Sequence, residues 1–252
     1  MNCKTGQCGC SDSLITNRRS VLKTGLGIAL AGAAGTAGFS APSVAMAAAM
    51  TKQERDSLTP DQIIEGLKHG NERFRSGKAH AHDYLAQKRA SAAGQFPAAV
   101  ILSCIDSRAP AELILDTGIG ETFNARIAGN VTNEDLAGSL EFACAAAGAK
   151  VVLVMGHTSC GAIKGAIDNV TLGNLTGLLA RIKPAVDATK YDGVRTGSNP
   201  EFVDMVARTN VQNTIDDLRK QSEILASMQK DGKIKIVGAM YHLNTGKVEF
   251  MS

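Results

Sequence analysis

Three apolar runs constrain this chain more than any other feature: Ala98 to Leu102, Val151 to Met155, and Ile234 to Met240, which Lys235 alone interrupts. A strand with one wet face alternates apolar and polar residues, whereas a strand covered on both faces does not. Helical segments separate the runs, so the expected class is α/β, a mostly parallel central sheet flanked by helices. Thr122 to Ile127 predicts a weaker, alternating strand, and Lys247 to Met251 predicts a late edge strand.

Local signals place the helices. Thr59-Pro60-Asp61-Gln62 combines a capping threonine, a proline suited to the first turn, and a glutamine that completes a capping box. Ile63, Ile64, Leu67 and Phe74 give that helix its apolar stripe, and Gly77 offers a stop. Thr132, Asn133, Glu134 and Asp135 open another helix with acidic residues at its positive end. Leu136, Leu140, Ala143, Cys144 and Ala147 share one face of it, and Gly148 ends it, so Cys144 reads as a small buried hydrophobe. Residues 171–189 and 201–230 read as helical, and no internal repeat is present. His80 and His82, two apart, share no helix face and read as a solvated loop; His69 falls on the polar side of the first helix.

The first 49 residues stand apart from the fold. Asn17-Arg18-Arg19-Ser20-Val21-Leu22-Lys23 is a twin-arginine pattern, and an uncharged Gly/Ala-rich stretch runs from Thr24 to Met50. Ala45-Met46-Ala47 and Ala47-Ala48-Ala49 are small-x-small cleavage candidates. Residues 1–49 are therefore expected to be a cleaved twin-arginine signal, engaging the export machinery and sending the chain to the periplasm. Residues 50–252 are expected to form one catalytic domain. The Gly/Ala stretch is weakly apolar, so no stable membrane anchor is expected. The leader holds four basic and one acidic residue, which leaves 23 of each in the remainder. Such a neutral body with few aromatics argues against nucleic acid as a partner. Cys3, Cys8 and Cys10 belong to the leader, with no mature role assigned. An odd count among Cys104, Cys144 and Cys160 favours metal over disulfides.

The chemistry gathers at two strand ends. Cys104, Asp106 and Arg108 follow the first apolar run, and His157 and Cys160 follow the second. Open α/β sheets place their sites at the carboxyl ends of strands, so the clusters meet if those strands are neighbours. Two thiolates and one imidazole make a three-ligand zinc set whose fourth position stays open, whereas structural zinc normally takes four protein ligands. Two thiolates cancel the ion's charge and weaken its acidifying effect, and Arg108 restores a positive field nearby. Asp106 is suited to accept a hydrogen bond from zinc-bound hydroxide, while Arg108 holds it bidentately off the metal. Unclamped, Asp106 is a possible fourth ligand that closes the site. Gly118-Ile119-Gly120 precedes a strand rather than a helix, the wrong context for a phosphate loop.

From about Thr59 to Phe250 the chain resembles the β-class carbonic anhydrases. The motifs are Cys104-Ile105-Asp106-Ser107-Arg108, Arg126-Ile127-Ala128-Gly129-Asn130 and Gly156-His157-Thr158-Ser159-Cys160-Gly161. The resemblance implies reversible hydration of carbon dioxide to bicarbonate, with one zinc per subunit on Cys104, His157 and Cys160 and the Asp106–Arg108 dyad orienting the hydroxide. It implies a homodimer at least, with an N-terminal helical arm embracing the partner. By position, it implies a substrate pocket of Gln95, Phe123, Ala128, Phe142 and Gly161. Phe142 lacks the hydroxyl of the tyrosine common there, and Ala128 is smaller than the valine of plant-like members. Gln95 favours the always-open branch, hence water on the zinc near neutral pH. His242, after the third apolar run, reads as a structural histidine, with a proton shuttle as the alternative. Rival functions are hydrolysis of CS2 or COS on the same scaffold, and a non-catalytic zinc or bicarbonate-binding module.

Overall fold

The computed structural model describes residues 46–251. The twin-arginine pattern, Cys3, Cys8, Cys10 and most of the Gly/Ala stretch lie outside the described residues. Among those described, the element order is α1 (Lys52–Ser57), α2 (Pro60–Arg75), α3 (Tyr84–Ala90), β1 (Ala99–Ser103), α4 (Ala111–Ile114), β2 (Thr122–Arg126), α5 (Glu134–Glu141), β3 (Val151–His157), α6 (Gly161–Ile167), α7 (Gly173–Ala188), α8 (Pro200–Gln221), α9 (Glu223–Lys230), β4 (Lys235–Tyr241) and β5 (Val248–Phe250). No helix among them is long and apolar enough to cross a membrane.

The five strands form one sheet in the order β2-β1-β3-β4-β5, parallel except for β5, which pairs antiparallel at the edge. All of β1 and β3 is buried, as their unbroken apolar sequences demand. Side chains alternate between two layers. Val100, Leu102, Val152, Val154, Ile236 and Met240 face the larger cluster, under α5, α7 and α8. Ala99, Ile101, Val151, Leu153, Met155 and Ala239 face the smaller one, under α2 and α4. Cys104 continues the alternation of Val100 and Leu102 into the larger layer.

The helix starts follow their signals. Thr59 makes the full capping box with Gln62, and Asn133 caps α5 by accepting from the Leu136 amide. Cys144 is buried and unbonded to any other cysteine. Three elements depart from expectation. The helix after Thr132 gives way at Phe142 to a π-helical turn, Phe142–Ala146, before Gly148 turns the chain at φ 85°. The stretch 201–230 is two helices, because Ser222 ends α8 and caps α9, accepting from the Leu225 amide and donating to Glu141 Oε1 at 2.6 Å. His82 is no solvated loop residue: its side chain is 4% exposed, between Asp116 Oδ1 at 3.3 Å and Gln87 Nε2 at 3.1 Å. A buried carboxylate bonded to Arg73 and the His80 amide draws that ring inward. His80 and His69 are exposed. Met46 donates its amide to Ala81 O at 2.7 Å, and its carbonyl accepts from the Asp83 amide.

Asn71 ties α2 to α4 and to the turn between β4 and β5. Its buried amide donates to Ile114 O at 2.9 Å and Gly246 O at 2.8 Å, and its oxygen accepts from Val248 N at 2.8 Å. Asn71→Ala strands two buried backbone groups, at Ile114 and Val248, and a half-buried one at Gly246. Urea unfolding should show a loss of about 2–4 kcal/mol; a loss below about 0.5 kcal/mol would contradict this role.

Candidate metal centre

The strand order reverses at β1, since the chain leaves it for β2 on one side and returns to β3 on the other. Crevices at such switch points are where open α/β sheets bind ligands. Ser103 lies level with Met155 in the β1–β3 register, so Cys104, one residue on, reaches the end of β3 beside His157. His157 is the last residue of β3, held level with Tyr241 of β4. A short turn through Thr158 and Ser159 leads to Cys160, the residue that precedes the first turn of α6. Ser159 between them has φ 54°, and its amide is pinned by Asp204 Oδ1 of α8 at 2.8 Å.

The result is a buried trio. Cys104 Sγ, a His157 ring nitrogen and Cys160 Sγ all lie within 4.8 Å of one another. The two sulfurs are 3.9 Å apart. That is far beyond the ~2.05 Å of a disulfide and close to the ~3.8 Å separating two thiolates at ~2.3 Å on a tetrahedral ion. His157 Nδ1 lies 2.9 Å from its neighbour's carbonyl, Thr158 O, so Nδ1 carries the proton and Nε2 presents a lone pair. Nε2 is buried and has no hydrogen-bond partner among the described residues. An orphaned, correctly tautomerised nitrogen beside two sulfurs fits a soft divalent cation.

The charged pair stands next to this trio. Arg108 donates to Asp106 from Nε at 2.9 Å and Nη2 at 2.7 Å, one bond to each carboxylate oxygen, and its amide also donates to Oδ1 at 2.9 Å. The Arg108 guanidinium holds the Asp106 carboxyl well below the usual carboxylate range. Asp106 Oδ2 is 3.7 Å from His157 Nε2, facing the donors.

Several supporting residues carried no assigned role in the sequence. Arg126, at the end of β2, donates to Cys104 O at 2.9 Å and Asp106 O at 2.6 Å, fixing the backbone of the Cys-x-Asp-x-Arg loop. Gly129 donates its amide to Cys104 Sγ at 3.3 Å. It sits at φ 69°, and a Cβ there would meet Ile182 Cδ1 at 2.6 Å, so glycine is required twice over. Asn210 Nδ2 in turn holds Gly129 O at 2.7 Å. Arg126 and Gly129 belong to a motif visible in the sequence, but Asn210 and Asp204 are polar residues on a long helix and carry no such signal.

Of the proposed pocket residues, Ala128 and Gly161 line a cavity of about 460 Å³ together with Cys104 and Asp106. Gln95 is exposed, four residues before β1 begins and so at the opposite edge of the sheet from Cys104. Phe123 lies in the first half of β2 and meets Phe142 edge-on with ring centroids 6.2 Å apart. Neither ring lines that cavity within one chain, and Phe142 is 57% exposed. His242 pairs with Glu249 Oε2 at 3.1 Å.

Without a cation, two thiolates this close do not both ionise. A hydrogen bond from Cys160 brings the Cys104 thiol down to about 4, and the same contact with burial pushes Cys160 above the usual thiol range. Burial pulls the His157 imidazole down, but the Cys104 sulfur, the Thr158 carbonyl and the Asp106 carboxylate together outweigh it and leave the ring above its ordinary value. Metal needs Cys160 deprotonated and His157 neutral, so loading displaces protons and strengthens as pH rises. Zinc titrated into metal-free protein at pH 7 in weak buffer should release at least about one proton per ion, with affinity rising about tenfold per pH unit for each proton displaced. Loading with no proton release would contradict the shared-proton trio.

The family model described as "Carbonic anhydrase" matches residues 99–248. Carbonic anhydrase 2 of Mycobacterium tuberculosis is 34% identical over 197 residues, which cover 76% of this chain and 92% of that protein. The carbonic anhydrase of Mycolicibacterium smegmatis is 31% identical over 199 residues, covering 77% and 94%. A solved structure from a study of two tetrameric β-carbonic anhydrases of Sordaria macrospora overlays with a TM-score of 0.58 at 22% identity, across 76% of this chain and 98% of that one. With the matching stretch spanning more than half of the sequence, and the shared fold built around the Cys-His-Cys trio, this protein belongs to the β-carbonic anhydrase family.

Proposed function

We propose that the protein catalyses the reversible hydration of carbon dioxide to bicarbonate and a proton, using one zinc ion per subunit held by Cys104, His157 and Cys160. The observation that carries this reading is the partnerless Nε2 of His157, turned towards two sulfurs beside a clamped carboxylate. When bound, zinc supplies Lewis acidity that makes water a competent nucleophile near neutral pH. Asp106 would accept a hydrogen bond from the nucleophilic water and orient it towards substrate. It stays ionised across the working range, because Arg108 keeps its carboxyl far below neutrality. Arg108 engages both carboxylate oxygens, which would keep Asp106 a hydrogen-bond acceptor rather than a metal ligand. Ala128, Val170, Leu175 and Leu179 give the cavity an apolar wall suited to a substrate with no net dipole. Gly161 leaves open space where a side chain would otherwise project.

We also infer a homodimer or larger homo-oligomer. Gln95, Phe123 and Phe142 match pocket positions by sequence but lie away from the Cys104 cavity of their own chain. A second copy supplies them across an interface, and the exposure of Phe142 supports that arrangement. The N-terminal arm around α1 then packs against the partner. Export by the twin-arginine route remains our reading of residues 1–49, with the periplasm as destination. Both cleavage candidates fall after Met46, so processing there removes its pairing with Ala81 and Asp83.

Asp106→Ala should lower kcat for carbon dioxide hydration, read by stopped flow, by about 10²–10⁴-fold while one zinc per subunit is retained. Unchanged turnover would remove Asp106 from the mechanism. Intact mass of the exported protein should place its first residue at Ala48 or Met50; an uncut leader would overturn the export reading.

A further inference from the structure

The cavity beside the metal donors is lined by one basic residue, Lys164. Lys164 sits in the first turn of α6, four residues after Cys160, and lines the cavity together with Cys104 and Asp106. It is half-buried, and its ammonium makes no ion pair among the described residues. Two carboxylates border the same cavity, Asp106 and Asp168, and neither pairs with Lys164 among the described residues. Asp106 gives each oxygen to Arg108. Asp168, a turn beyond Lys164, accepts the Gly197 amide on Oδ1 at 2.8 Å. The remaining lining is uncharged: Ile105, Ala128, Gly161, Ala162, Gly165, Val170 and the two leucines. A cation in a largely apolar concavity, without a carboxylate of its own, leaves a positive field that draws anions.

We propose that Lys164 is the anion-holding residue of the cavity. Its ammonium attracts bicarbonate, and other monovalent anions, to the space beside the metal. Carbon dioxide is uncharged and feels that field far less, so Lys164 discriminates between the two sides of the reaction. The assignment rests on the reading that this site handles bicarbonate.

The test titrates thiocyanate, a monovalent anion, into the zinc-loaded full chain by calorimetry at low ionic strength. Wild type is compared with Lys164→Gln and Lys164→Arg, and KM for carbon dioxide is measured in parallel. Lys164→Gln should weaken thiocyanate binding about five- to tenfold, while Lys164→Arg, which keeps the charge, stays within about twofold of wild type. Raising the salt should close the gap between wild type and the glutamine variant. Any change in KM for carbon dioxide should be smaller than the change in thiocyanate affinity. Equal thiocyanate affinity in wild type and Lys164→Gln would overturn the proposal. So would a loss matched by an equal rise in KM for carbon dioxide, which signals a deformed cavity. Lys164-dependent thiocyanate binding in a protein that hydrates no carbon dioxide would support the anion site and overturn the proposed reaction. Normal hydration with Lys164-independent binding does the reverse.

Discussion

The parallel pairing of β1 with β3 is the constraint on which the site depends. Its register sets Ser103 against Met155, which delivers Cys104 to the side of His157 from more than fifty residues away. A slip of one residue would send the Cys104 side chain to the opposite face of the sheet. The register is fixed because both strands are buried on both faces, so each side chain has a place in one of two cores. The crevice forms where the strand order reverses, and the donors stand on its two banks.

Around that pairing, the loops are held by bonds to their backbone. Arg126 fixes the carbonyls of Cys104 and Asp106, Gly129 donates to the Cys104 sulfur, and Asn210 and Asp204 of α8 brace the loops on either side. Asn130 at φ 44° and Ser159 at φ 54° occupy left-handed backbone that costs about 1–2 kcal/mol in an ordinary residue. Packing of α8 across the sheet offsets this: Thr214 donates to Asn130 O at 3.2 Å, and Asp204 takes the Ser159 amide. Preorganised donors lose little on meeting a cation or a substrate, which is how a small reaction centre gains affinity and rate.

Much of this was legible in the sequence, for reasons that can be named. Unbroken apolar runs report two-sided burial, so the parallel sheet followed from Val151 to Met155 and its counterparts. Cys104, Asp106, Arg108, His157 and Cys160 stood out because thiols, imidazole and an ion pair cluster directly after such runs. The rest depended on tertiary contacts with no local trace. Nothing near Asn210 marks it as a loop brace, since a polar residue on a helix is ordinarily a solvated one. His82 is buried because Asp116, 34 residues away, is buried with it. Ser222 divides a long helical stretch because its hydroxyl is engaged by Glu141 from another element and by the cap it forms. The separation of Gln95, Phe123 and Phe142 from the cavity reflects sheet geometry, as positions at opposite ends of a strand are about 15 Å apart.

The most direct measurement is stopped-flow hydration of carbon dioxide during stepwise zinc addition to metal-free protein. The account predicts a rate that climbs linearly and stops at one zinc per subunit. Full zinc occupancy with hydration no faster than buffer, or hydration that needs no zinc, would contradict it.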